Sequence, residues 1–136
     1  MNGWRQQGVQ VVDRKTGAVT QTLDQPAAFI GLTFAPDGRA LYASGGNADV
    51  IYRYDWASST LRLRDSIVVR ARSSARSNDS SYPAGIATSR DGRFLYVAEN
   101  LADSLAVIDV ATGRVMQRLA AGRYPYGVIV NDDGTV

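Results

Sequence analysis

The chain has 136 residues, 45% of them hydrophobic and 21% charged, with neither cysteine nor histidine; this is the composition of at most one ordinary globular domain, not of a disordered chain. The two missing residue types exclude a disulfide frame, thiolate or imidazole metal ligands, a cysteine nucleophile, and any triad or haem that relies on histidine. Fourteen arginines and one lysine face twelve aspartates and one glutamate, a formal net charge of +2 too even to indicate a nucleic-acid or membrane partner.

In chain order, the predicted elements are short strands separated by glycine-marked turns. Residues 1–26 read as the third and fourth strands (C and D) of a four-stranded unit, carrying Val11-Val12-Asp13 and then Thr16-Gly17. Residues 27–81 read as a second unit, with the turn Pro36-Asp37-Gly38 and a C strand around Tyr52-Arg53-Tyr54-Asp55. Residues 82–122 form a third, with strands predicted over 85–89, 94–98, 105–109 and 115–119. Asp91-Gly92 turns between its first two strands, and Asp109 to Gly113 offers Asx-type bonding before the last. Residues 123–136 would begin a fourth unit. No stretch keeps a 3.6-residue period, no apolar run approaches the roughly 18 residues of a membrane helix, and Met1 to Arg5 lacks the regions of a signal peptide.

The units repeat. Gly38, Gly92 and Gly134 are 54 and then 42 residues apart, whereas Asp13, Asp55 and Asp109 are 42 and then 54 apart. Both spacings fit a 42-residue unit lengthened once by 12, the insertion being assigned to the segment 71–81 and expected to be a mobile surface loop. Four antiparallel strands at roughly 40–45 residues per repeat are the pattern of a propeller blade, and closed rings need about 4–8 blades. The expected fold is therefore all-β, a β-propeller fragment of about three four-stranded blades. It would be completed by further blades in cis or in another chain, because an open array leaves edges and one sheet face unpaired.

Pro36-Asp37-Gly38-Arg39-Ala40-Leu41-Tyr42, Arg93 to Asn100, Ala106-Val107-Ile108-Asp109 and Tyr124-Pro125-Tyr126-Gly127-Val128 resemble the YVTN-type β-propeller repeat family, which is lactonase-like and seven-bladed. Tyr82 to Gly85 and Ala98 to Asp103 are similar to propellers fused ahead of alkaline-phosphatase-superfamily phosphoesterases. The resemblance implies a periplasmic or extracellular parent protein. It departs from the family at Arg90, where proline is usual, and at the Arg/Ser insertion.

In an up-and-down meander the loops before strand A and between B and C share one end, which makes 27–30, 81–84 and 123–126, with 45–49 and 99–103, the candidate binding face, and the Asp-Gly and Thr-Gly turns share the opposite end. Tyr82-Pro83 and Tyr124-Pro125 recur at spacing 42 and are expected to serve the blade, the proline fixing φ and the tyrosine packing between blades. Gly31, Gly85 and Gly127 are expected where backbones crowd near the axis, and Asp49 and Asp103 read as turn formers. Glu99, Arg123 and Tyr126 break the repeat, their counterparts being Gly45, Ser81 and Ala84, and are the candidate ligand-binding residues. The competing reading of each is a solvated loop side chain, and a Glu99–Arg123 pair is a structural rival to ligand contact. Five arginines between Arg62 and Arg76 lack interleaved aromatics and read as a solvated strand and loop. Asn78-Asp79-Ser80 matches a glycosylation acceptor only by its short pattern.

No catalytic constellation, cofactor or metal site is predicted. The leading expectation is a non-catalytic binding or scaffold module for a protein or small-molecule ligand. The alternatives are a lactonase-like propeller hydrolase and the propeller domain of a phosphoesterase.

Overall fold

Alternation of apolar and polar residues builds three antiparallel sheets in the computed structural model, which describes residues 7–71, 79–131 and 133–136. The first sheet pairs β1 (Gly8–Val12) with β2 (Val19–Asp24). The second is a meander of β3 (Leu32–Phe34), β4 (Ala40–Ser44), β5 (Val50–Ala57) and β6 (Thr60–Val68). The third repeats it with β7 (Pro83–Thr88), β8 (Phe94–Glu99), β9 (Ser104–Asp109) and β10 (Arg114–Ala120). The all-β propeller-fragment expectation holds, and the four strands predicted in the third unit correspond to β7 to β10. The described residues after β10 form no strand, although Gly85 N–H donates to the Tyr126 carbonyl at 2.8 Å along the flank of β7.

Turn chemistry explains where the strands stop. The Asp13 carboxylate accepts the Thr16 N–H at 2.7 Å and its hydroxyl at 2.9 Å, and Asp109 does the same with Thr112 at 2.8 Å each. Gly17 and Gly113 then take positive φ of 72° and 66°, which a side chain would strain. The middle blade departs from this device. Its β5–β6 hairpin runs on to Ala57↔Thr60 and closes on Ser58 and Ser59, both left-handed at φ 50° and 59°. All three blades carry a register break at one place in the outer strand pair, at Val11/Val12, Arg53/Tyr54 and Val115/Gln117; such bulges increase local twist.

Strand alternation sends the two faces of the middle sheet to different neighbours. From β4, Leu41 and Ala43 join Val9, Tyr52, Tyr54 and Leu61 in a core against the first sheet. Ala40 and Tyr42, one residue out of phase, join Ile51, Ile67, Ile86, Leu95, Val97 and Ile108 in a core against the third. Two glycines let adjacent blades close up. A Cβ on Gly31 would collide with the Ala84 carbonyl, and one on Gly85 would lie 2.5 Å from the Tyr126 carbonyl, equivalent contacts that agree with the expected backbone crowding; at Gly127, the third glycine of that expectation, a Cβ would meet no atom within 4 Å among the described residues.

Asp49 and Asp103 do more than form turns. Both are left-handed, at φ 56° and 48°, and each carboxylate reaches the start of the following blade. Asp49 Oδ1 accepts the Ser81 and Tyr82 N–H groups at 2.8 and 3.1 Å, and Asp103 Oδ1 accepts the Tyr124 N–H at 2.8 Å. The two staples from aspartate to tyrosine span 33 and 21 residues, so the 12-residue insertion lies inside the longer one. Tyr82 and Tyr124 share this left-handed backbone, at φ 52° and 54°; the Tyr82 ring packs between blades as expected, against Phe29 of the preceding one, whereas Tyr124 is 54% exposed.

Residues 72–78, most of the expected insertion and the first residue of the Asn78-Asp79-Ser80 pattern, lie outside the described residues. The closing part is anchored. Arg70 pairs with Asp79 at 2.8 Å, Ser80 donates its hydroxyl to Asp49 at 2.9 Å, and Ser81 is fully buried. Residues 79–81 therefore belong to the packed blade and not to the mobile loop expected over 71–81.

Candidate functional site

The loops before the first strand of successive sheets converge at one end of the blades. Phe29 is fixed by its N–H, which donates to the Ser44 carbonyl at 3.1 Å, and Tyr82 by the Asp49 staple. Their rings meet edge to face with centroids 4.9 Å apart, and Phe29 lies 6.1 Å from the Tyr126 ring, within the range of favourable aromatic pairing. Gly46 at φ 43° leaves room beside them, since a Cβ there would come within 3.1 Å of the Phe29 Cβ. Asn100 closes the other side: its N–H donates to the Tyr82 carbonyl at 3.2 Å and its Nδ2 to the Pro125 carbonyl at 3.3 Å. Tyr126 remains 56% exposed.

The three sequence candidates do not form one cluster. Tyr126 joins the aromatic surface. Arg123 is exposed, with its guanidinium carbon 5.8 Å from the Tyr124 ring centre. Glu99 is fully buried at the end of β8, where Oε2 accepts the Ser104 hydroxyl at 2.8 Å and Arg118 Nε at 2.9 Å. Arg118 also donates through Nη2 to the Val69 carbonyl at 2.7 Å, tying the third blade to the second. The ion pair formed by Glu99 is thus with Arg118 of β10 and not with Arg123. Its Oε1 is buried and has no hydrogen-bond partner among the described residues.

Phe29 and Tyr82 both lie on the face expected from the sequence, but neither was singled out there as a ligand contact, Tyr82 being assigned to the blade. Phe29 stands where the later blades have Pro83 and Pro125, so the same criterion that selected Tyr126 would have found it. Tyr82 could not be found that way, because its repetition reflects the backbone staple and conceals the separate use of its ring. Among the described residues no group of three or more acidic side chains is placed to hold a metal ion, and no helix is long and apolar enough to cross a membrane.

A family model described as Lactonase, 7-bladed beta-propeller, matches residues 31–136. No curated protein shows a significant match. Among solved structures, the chain is similar to the hydrazine synthase of Kuenenia stuttgartiensis at 25% identity and a TM-score of 0.66, covering 88% of this chain and 30% of that one. It is similar to a functionally unknown protein from Desulfotomaculum acetoxidans at 16% identity and TM-score 0.72, covering 92% and 38%. A third likeness, at 17% identity and TM-score 0.63, is to a protein described as a candidate 6-phosphogluconolactonase from Bacteroides uniformis, covering 83% and 36%. The chain thus spans between 30% and 38% of the length of these structures. The two likenesses below 25% identity speak to the fold alone.

Proposed function

We propose, from the premise that the chain belongs to the family of seven-bladed β-propeller lactonases, that its blades contribute a ligand-binding wall on which a small cyclic ligand rests against Phe29, Tyr82 and Tyr126. The observation behind this reading is the convergence of three aromatic rings from successive blade starts, with ring centres 4.9 and 6.1 Å apart. Rigid blades hold these loops in place, as binding loops on β scaffolds require. The only glutamate is held by Arg118 inside the blade, so on this reading the described residues serve recognition and not proton transfer.

A second reading, lactone hydrolysis, is favoured by the family match. In that case the aromatic wall would orient the ring, and catalytic groups would come from outside the described residues. An envelope or secreted setting and an attached phosphoesterase are further proposals from the repeat resemblance.

The two readings separate in one experiment on the full-length protein with glucono-δ-lactone as probe. Saturable quenching of tyrosine fluorescence without hydrolysis above the spontaneous rate supports the binding reading, and it should weaken in Tyr126→Ala while the melting transition stays in place. Accelerated hydrolysis supports the second. Binding that is indifferent to both Tyr126→Ala and Tyr82→Phe, or no binding and no hydrolysis, overturns the aromatic wall.

A further inference from the structure

We propose that the cleft between the second and third sheets, at the end of the blades opposite the aromatic surface, binds a small organic carboxylate with an apolar ring body. The cleft encloses about 560 Å³, a volume typical of small-molecule sites. Both sheets that bound it have all four strands, so it is not the flank of a sheet waiting for its neighbour.

The residues that open the cleft are ones the blade repeat does not demand. Ala40 faces Asp55 on the neighbouring strand, and in the third sheet Phe94 occupies the same place opposite Asp109. A phenyl ring at position 40 would fill the space that alanine leaves. Arg64, at the register break of β6, stands where β10 has Met116. Repetition thus accounts for the turns at either side, whereas the small residue and the arginine are particular to this interface.

The cleft lining carries both signs, Asp37 and Asp91 beside Arg39 and Arg64, so the free hydrogen-bonding group and not net charge selects the ligand. Of the acidic residues at the cleft, Asp37 accepts the Arg39 N–H at 2.9 Å, and Asp91 accepts the Arg93 N–H at 3.0 Å and the Ser89 hydroxyl at 2.6 Å. Arg64 donates to Asp55. The exposed Arg39 guanidinium has no ion pair or side-chain hydrogen bond among the described residues. A planar guanidinium matches a carboxylate in a two-point, charge-assisted geometry, and the buried Tyr42 and half-buried Val110 offer apolar surface for the rest of the molecule.

The test is a titration of the full-length protein with benzoate, followed by backbone amide NMR shifts. The expected result is saturable shifts confined to Gly92, Val110 and residues 37–40. Arg39→Gln should weaken binding about tenfold, the scale of one charge-assisted contact. Ala40→Phe should abolish binding without lowering the melting temperature, and if that variant does not fold, Ala40→Val should show a partial loss. Benzamide binding as tightly as benzoate would overturn the assignment of a carboxylate. Inorganic phosphate giving the same shifts where benzoate gives none, or no saturable shift with either, would overturn the site.

Discussion

Arg118 and Glu99 are joined at 2.9 Å with unequal exposure, the arginine side chain 37% accessible and the glutamate not at all. The pair lies at a seam, since the second arm of Arg118 holds the Val69 carbonyl of the preceding blade. Removing the arginine strands a buried carboxylate, whereas removing both charges does not. Arg118→Ala is therefore expected to destabilise the fold by about 2–3 kcal/mol, less than for a fully buried pair because one partner reaches water. Arg118→Ala combined with Glu99→Gln should cost less than the sum of the two single changes. Urea denaturation of the four proteins measures this, and strictly additive losses would show that the pair contributes no coupling.

The two aspartate staples are equivalent in geometry but not in burial. Asp49 is fully buried and accepts two N–H groups and two hydroxyls, while the exposed Asp103 accepts one N–H. Asp49→Ala should cost about 3 kcal/mol through the unpaired donors it leaves, against about 1 kcal/mol for Asp103→Ala. Equal losses in chemical denaturation would mean that the shared left-handed backbone, and not the hydrogen bonds, determines the effect.

Ser58 and Ser59 close the β5–β6 hairpin with both residues left-handed, the conformation that Asn-Gly adopts most readily in a two-residue turn. Neither is buried. The double change Ser58→Asn and Ser59→Gly should raise stability by about 1 kcal/mol by relieving that backbone preference. A higher melting temperature with unchanged strand content is the expected result, and a lower one would show that the serine side chains carry contacts of their own in solution.

Burial pushes the Tyr54 hydroxyl up to about 12. Between about pH 10, where an unfolded tyrosine titrates, and the folded value, the unfolded chain releases a proton that the folded chain retains. The stabilisation is complete below that window and is lost as pH rises through it. Tyr54→Phe should consequently move the alkaline unfolding midpoint upward. Absorbance of the tyrosinate band, followed with circular dichroism, would show Tyr54 ionising only together with unfolding, and a separate earlier ionisation would contradict the burial.

The repeat, its insertion and the strand turns were legible in the sequence because each depends on neighbours in the chain. Asp13 and Asp109 bind threonines three residues away, and the glycines after them need only a local positive φ, so residue type and spacing suffice. The crowding at Gly31 and Gly85 could be read from repetition as well, since a blade interface imposes the same demand in each unit. What remained hidden depends on contacts between distant segments. Glu99 resembled a free loop carboxylate until β10 placed Arg118 against it, and the anchoring of Ser80 and Ser81 followed from Asp49, more than thirty residues upstream. The aromatic surface and the cleft above Ala40 are likewise properties of how blades are set beside one another. The periodic sequence determines the blade, and only the tertiary structure decides which side chains that break the period reach a surface and which are consumed in holding two blades together.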